Sequence, residues 1–219
     1  MKLFSTILAS SLLICVCSFA QKGDARKGYI IDSEGNKTEG FVRSQSDEIE
    51  YVVRVRFSEK ENAKKYGLYK PKGISAYGFE EVRKSNLNEE YKHWRKFIRY
   101  DFERPARIFA TNSSFIEQVV EGELNLYQFL YETGADIEHP VTTRYIVIRN
   151  GEELCQVEEE DFRQAARKLF DGYHALVNSL GEPSFKFSNL PRLVDDYNFW
   201  LENKHDSNTY KMNPNIFNQ

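Results

Sequence analysis

Apolar residues recur at a period near two from residue 28 to residue 157, and at Glu158 that period gives way to a helical one. A strand turns successive side chains to opposite faces, whereas a helix brings a face round every three to four residues. The chain is therefore read as a run of strands followed by helices, which makes it α+β. The expected architecture is an antiparallel, strongly curved or barrel-like sheet with two or three C-terminal helices packed on it.

Within the first part, Gly28-Tyr29-Ile30-Ile31 and Thr38-Glu39-Gly40-Phe41-Val42 flank Ser33-Glu34-Gly35-Asn36 and read as a hairpin. Residues 48–57 read as one strand, with Val53, Val55 and Phe57 on one face and Arg54 and Arg56 on the other. The charged residues 59–65 suit a helical turn or a loop, and Tyr77-Gly78-Phe79 starts a short strand. Residues 91–102 put Trp94, Ile98, Tyr100 and Phe102 on one parity, the expected core face. Residues 115–120 and 124–131 are apolar on both parities, with Gly122 between them as a bulge or turn. Asn150-Gly151 between two strand-like arms predicts a type I′ hairpin, because both central residues need positive φ.

The helical part opens with Glu158, Glu159, Glu160 and Asp161, which suit the positive end of a helix dipole. Phe162, Ala165, Ala166, Leu169, Phe170 and Tyr173 form one stripe. A second helix is expected within residues 174–180, stopped by Gly181 and Pro183. A third starts near Ser188 or Asn189, with Pro191 in its first turn and a stripe of Leu190, Leu193, Val194, Tyr197, Trp200 and Leu201. Four regions result: a signal peptide over 1–20, a β-rich region over 21–157, a helical region over 158–203 and a flexible tail over 204–219. The middle two are expected to fold as one cooperative unit, since the helical residues bury little surface alone.

The signal-peptide reading rests on Lys2, the apolar run over residues 7–17, and Ser18-Phe19-Ala20 before Gln21. That run falls short of the roughly 20 apolar residues that span a bilayer, and no later stretch reaches that length. No transmembrane span is therefore expected after cleavage. Lipidation at Cys15 or Cys17 is disfavoured, because Ile14 and Val16 precede them where a small residue is preferred. Cleavage leaves Cys155 as the one cysteine, which excludes an internal disulfide and a multi-cysteine zinc site. A net charge of −3 gives no polyelectrolyte bias, so nucleic acid is not an expected partner.

Catalytic patterns fail one by one. Asp32, Glu34, Asn36 and Thr38 alternate acceptors like a calcium loop, but Lys37 stands where glycine is needed and Arg43 where the closing glutamate is needed. Cys155 stands in no catalytic frame with His93, His139, His174 or His205, and the histidines lack zinc-ligand spacing. The chain holds no G-x-S-x-G and no phosphate-binding glycine loop. No catalytic residue, metal or cofactor is assigned. Residues 83–107 are different, because they interleave basic and aromatic residues. Lys92, Trp94, Arg95, Lys96 and Arg99 are the candidate binding residues for an anionic glycan, a lipid head group or an envelope protein. The competing reading is a solvated strand face whose charges pair with Glu and Asp on neighbouring strands.

Three stretches carry a resemblance: Gly28-Tyr29-Ile30-Ile31 with Glu39-Gly40-Phe41-Val42, then Val119-Val120-Glu121-Gly122-Glu123-Leu124-Asn125-Leu126-Tyr127, then Leu193-Val194-Asp195-Asp196-Tyr197-Asn198. Together they resemble the N-terminal region of an exported family of unknown function from Bacteroidota-type bacteria. There a strand-rich segment precedes a short helical segment ending in Tyr-Asn, in some members followed by an outer-membrane β-barrel. This chain ends at Gln219, so the resemblance implies a free-standing version. It also implies export and an envelope role, and it brings no activity or catalytic residues. Many members have a cysteine near the position of Gly172-Tyr173, which is absent here. The expected function is a non-enzymatic, envelope-associated or secreted interaction domain, located in the periplasm, at the outer membrane or outside the cell. The alternative is an enzyme or sugar-binding protein acting on envelope polysaccharide.

Overall fold

A computed structural model of the chain describes residues 24–43, 45, 48–85, 88–102, 112–132, 141–180, 182 and 185–203. The signal-peptide and tail readings lie outside these residues, as do Cys15, Cys17, Arg104, Arg107, His139, Gly181, Pro183 and His205. The strands are β1 (Ala25–Asp32), β2 (Lys37–Arg43), β3 (Val55–Ser58), β4 (Gly67–Tyr69), β5 (Ile74–Lys84), β6 (Glu90–Asp101), β7 (Ser113–Val120), β8 (Leu124–Glu132), β9 (Val141–Arg149) and β10 (Glu152–Val157). Helices are α1 (Glu48–Val53), α2 (Phe162–Leu169), α3 (His174–Ser179) and α4 (Leu190–Asn203), the last entered through a 3₁₀ turn at Phe187–Asn189.

The strands form one ten-stranded antiparallel sheet in the order β10-β9-β8-β7-β6-β5-β1-β2-β3-β4. The sheet is curved and not closed: among the described residues, β10 and β4 are its two edges. Local chemistry sets the turns. Asp32 Oδ1 accepts from the backbone N–H of Glu34 and of Asn36, each at 2.8 Å, and closes the β1–β2 hairpin. Asn150 (φ 54°) and Gly151 (φ 82°) adopt the left-handed pair that joins β9 to β10.

Residues 48–57 are not a single strand. β7 and β8 pair only where Glu117, Gln118 and Val120 meet Gln128, Tyr127 and Leu126, and α1 packs against both strands. Ile49 and Val52 join Ile116, Tyr127 and Phe129 in one cluster, while Tyr51 stacks on Phe79 and Phe97 in another, with centroids at 5.2 and 5.9 Å. A strand would put Ile49 and Tyr51 on the same face; a helical turn separates them and brings Ile49 beside Val52. That tertiary requirement outweighs the β-propensity of Ile, Tyr and Val. The end of α1 is tied down by side chains. Tyr77 Oη donates to the Tyr51 carbonyl at 2.5 Å, and Ser114 Oγ donates to the Val52 carbonyl at 2.6 Å.

Two further expectations shift. The strand begun at Tyr77 is the middle of β5, which starts at Ile74. Helix α2 stops at Leu169, and Gly172 (φ 86°) turns the chain, so Tyr173 precedes α3 instead of extending the α2 stripe. Its ring still joins the same core, stacked on Trp200 at 4.9 Å. The C-terminal helices bury Phe162, Ala166, Leu176, Leu193 and Val194 against Leu124, Leu126, Tyr145 and Val147 of β8 and β9. A second cluster, built on Tyr77, Phe79, Phe97 and Phe115, fills the other end of the sheet. At about 25 cal/mol per Å² of buried apolar surface, each such side chain contributes roughly 1.5–3 kcal/mol.

Candidate functional site

β6 carries all five candidate binding residues, and they divide between its two faces. Arg95 is 5% exposed and Phe97 beside it is buried, whereas Trp94 is 44% exposed. The expected core parity is therefore reversed at Trp94; farther along, Ile98, Tyr100 and Phe102 pack partly against the α1 cluster. Arg95 is the centre of an ionic cluster. It donates to Glu117 at 2.6 and 2.7 Å and to Glu48 at 3.2 and 2.7 Å, with Glu81 at 3.9 Å. Its guanidinium also lies over the Tyr51 ring at 5.0 Å and the Phe97 ring at 5.2 Å. Burial alone would lower its pKa, but the hydrogen bonds and charges of Glu117 and Glu48 outweigh burial and raise it. Arg95 thus ties α1 to the sheet.

The remaining cations are each matched to a carboxylate: Lys92 to Glu80, Lys96 to Glu121 at 2.5 Å, and Arg99 to Asp101 at 2.8 Å. Asp101 is held below its usual value by the hydrogen bonds from Arg99 and Ser113. These exposed pairs are weak in water, about 0–1 kcal/mol each, and a multivalent anion competes with them readily.

A surface groove gathers Trp94 and Lys96 with residues from the first hairpin. It holds about 620 Å³ and is lined by Lys27 and Tyr29 of β1, Lys37, Glu39 and Phe41 of β2, and Glu59 after β3. The register explains how it forms. Tyr29 lies opposite Gly78 of β5, and Gly78 lies opposite Lys96 of β6. A Cβ at Gly78 would sit 2.8 Å from the Tyr29 ring, so the absent side chain lets that ring lie across β5. Tyr29 thereby reaches Trp94, with ring centroids 6.0 Å apart and planes tilted by 32°. Lys37 Nζ sits 4.8 Å from the Tyr29 centroid and pairs with Glu39 at 3.0 Å. The groove thus gathers the Tyr29, Phe41 and Trp94 rings with three ammonium groups and the Glu39 and Glu59 carboxylates.

Tyr29, Lys27, Lys37 and Phe41 were not candidates on sequence grounds. The available signal was the set of strand glycines, Gly28, Gly40 and Gly78, since a glycine inside a strand marks a close approach. Cys155, in β10, is half-buried, and burial first of all, with Asp161 and Glu153 nearby, raises its thiol pKa. His93 is lowered, chiefly by desolvation. Among the described residues, no three of His, Cys, Asp and Glu are grouped to hold a metal, and no helix is long and apolar enough to cross a membrane. No family model, curated protein or solved structure matches the chain.

Proposed function

We propose that this chain is an exported, non-enzymatic interaction domain of the cell envelope that holds an acidic glycan in the groove between Tyr29 and Trp94. One observation carries the reading: two partly exposed rings, 6.0 Å apart, are flanked by Lys27, Lys37 and Lys96. Aromatic rings present a flat apolar surface to the C–H face of a sugar, and ammonium groups bind its carboxylate, sulfate or phosphate substituents. Export is supported by the N-terminal pattern ending at Ala20 and by the resemblance to the Bacteroidota-type exported family, and it places the domain in the periplasm, at the outer membrane or outside the cell.

Hydrolysis of the glycan is the second reading, and the groove favours binding over it. The Glu39 side chain is 79% exposed and already faces Lys37, whereas the general acid of a glycosidase is kept protonated by an apolar pocket.

The test is a fluorescence titration of the purified protein with lipopolysaccharide-derived acidic oligosaccharides at low and high salt. Binding should weaken as ionic strength rises, since screening shortens to about 10 Å at 0.1 M. Trp94→Ala and the pair Lys27→Gln with Lys96→Gln should each weaken it without changing the melting temperature. Binding that ignores both the variants and the salt overturns the groove. Sequencing the protein recovered from the envelope should find Gln21 as its first residue; a lipid on Cys15 or Cys17 would overturn the cleaved form.

A further inference from the structure

We propose that the outer edge of β6 pairs with the same edge of a second copy of this chain, antiparallel and centred on Tyr91. β5 and β6 stay paired out to Lys84 and Glu90, but their outer neighbours leave earlier. β1 follows β5 only to Phe79, and β7 follows β6 only from Lys96 onward. Residues 81–84 and 90–93 therefore project as a two-stranded arm. Such a ribbon is marginal alone, and its unpaired N–H and C=O groups are a template for another strand. The two edges of the arm are not equivalent. On the β5 side, Arg26 of β1 still reaches Glu81 at 2.9 Å and crosses the edge. On the β6 side, β7 ends at Val120, and among the described residues no strand pairs with the outer edge of residues 90–93, the edge away from β5.

The sequence along that edge identifies the occupant. In Glu90-Tyr91-Lys92 an acidic residue precedes the tyrosine and a basic one follows it, so the segment is complementary in charge to itself when run antiparallel. In a two-fold antiparallel pair centred on Tyr91, Glu90 of each copy stands opposite Lys92 of the other, and Glu89 opposite His93. The tyrosines meet at the axis, where Tyr91 is 48% exposed in the single chain. Sheet alternation agrees, because Glu90 and Lys92 share one face and Glu89, Tyr91 and His93 share the other. Neighbouring registers are disfavoured: moving the centre by one residue sets Lys92 against Lys92 or Glu90 against Glu90. Within the arm, Lys92 already meets Glu80 and Glu90 lies 3.7 Å from Lys84, and each charged group can hold a second partner across the axis.

Sedimentation velocity of the purified full chain over a range of concentrations tests this inference, with circular dichroism and melting curves to confirm that each variant is folded. The expected result is a reversible, concentration-dependent dimer. Glu90→Lys alone and Lys92→Glu alone each place like charges opposite one another and should weaken association by roughly tenfold. The double exchange restores opposite charges and should return association to within about threefold of the original. A monomer at every concentration, a dimer insensitive to the single reversals, or a double exchange that fails to recover would each overturn the proposal.

Discussion

Asn198 of α4 satisfies both backbone groups of Leu124: its Oδ1 accepts from the Leu124 N–H at 2.8 Å, and its Nδ2 donates to the Leu124 carbonyl at 2.9 Å. A side-chain amide here takes the place of strand pairing on the β7 side, where the ladder stops at Val120 and Leu126, while β9 pairs with Leu124 on the other side. Gly122 makes room for it, since a Cβ there would lie 2.3 Å from the amide nitrogen. Asn198 is only 5% exposed, so no water replaces it easily.

Replacing Asn198 by Leu should therefore strand one buried donor and one buried acceptor, each at about 1–3 kcal/mol. Urea unfolding should show the loss, and Gly122→Ala should show a loss of the same sign by pushing the amide away. An Asn198→Leu variant as stable as the parent would remove the clamp from the account.

Arg95→Met should leave Glu117 and Glu48 near each other without their shared cation. Breaking a largely buried pair from one side typically costs about 3–5 kcal/mol, somewhat less here because Glu48 is more than half exposed. The expected change is a lower melting temperature. A variant that melts with the parent would mean that α1 is held by packing alone.

Acid should weaken the fold through Glu81. Burial alone would raise its pKa, but the hydrogen bond from Arg83, the charge of Arg95 and the hydrogen bond from Arg26 bring it below the usual 4.5. A carboxyl lowered in the folded state stabilises above its unfolded value, and that contribution fades as pH falls through the folded one. Unfolding free energy should thus drop as pH falls below 4.5, and less steeply in Arg83→Gln. An identical slope in the two proteins would assign the acid sensitivity to other carboxylates.

Gly78→Ala should move the Tyr29 ring off β5 and separate it from Trp94. The clash is with the far end of a side chain, so stability should change by less than about 1 kcal/mol. Trp94 emission and glycan binding should both change. If neither does, the aromatic pair is incidental.

Leu193→Ala removes a fully buried side chain between α4 and the sheet and should cost about 2–5 kcal/mol. Calorimetry should still show one transition, because the helices share their core with β8 and β9. Two separated transitions would show that the helices and sheet unfold independently.

Much of the architecture could be read along the chain. The hairpins at Asp32 and at Asn150-Gly151, the both-face burial of β7 and β8, and the stripe of α4 all follow from neighbours in sequence. Turn dihedrals and side-chain alternation are local properties, and they survive whatever packs around them. Trp94 and residues 48–53 depart from their local pattern for the opposite reason. Their local pattern is compatible with two orientations, and the choice lies with residues far away in sequence: Ile116 and Phe129 for α1, Gly78 and Tyr29 for Trp94.

The sequence by itself determined that strands come first and helices after them, the turns at Asp32 and at Asn150-Gly151, and which segments are apolar, because each depends on backbone preference and side-chain period. Only the tertiary structure decided that Arg95 is buried in a ring of carboxylates while Trp94 faces a groove with Tyr29. Adjacent residues on a strand point to opposite sides, and which side becomes interior is set by the curvature of the sheet and the placement of α1. Those depend on contacts between residues dozens of positions apart, such as Arg95 with Glu48.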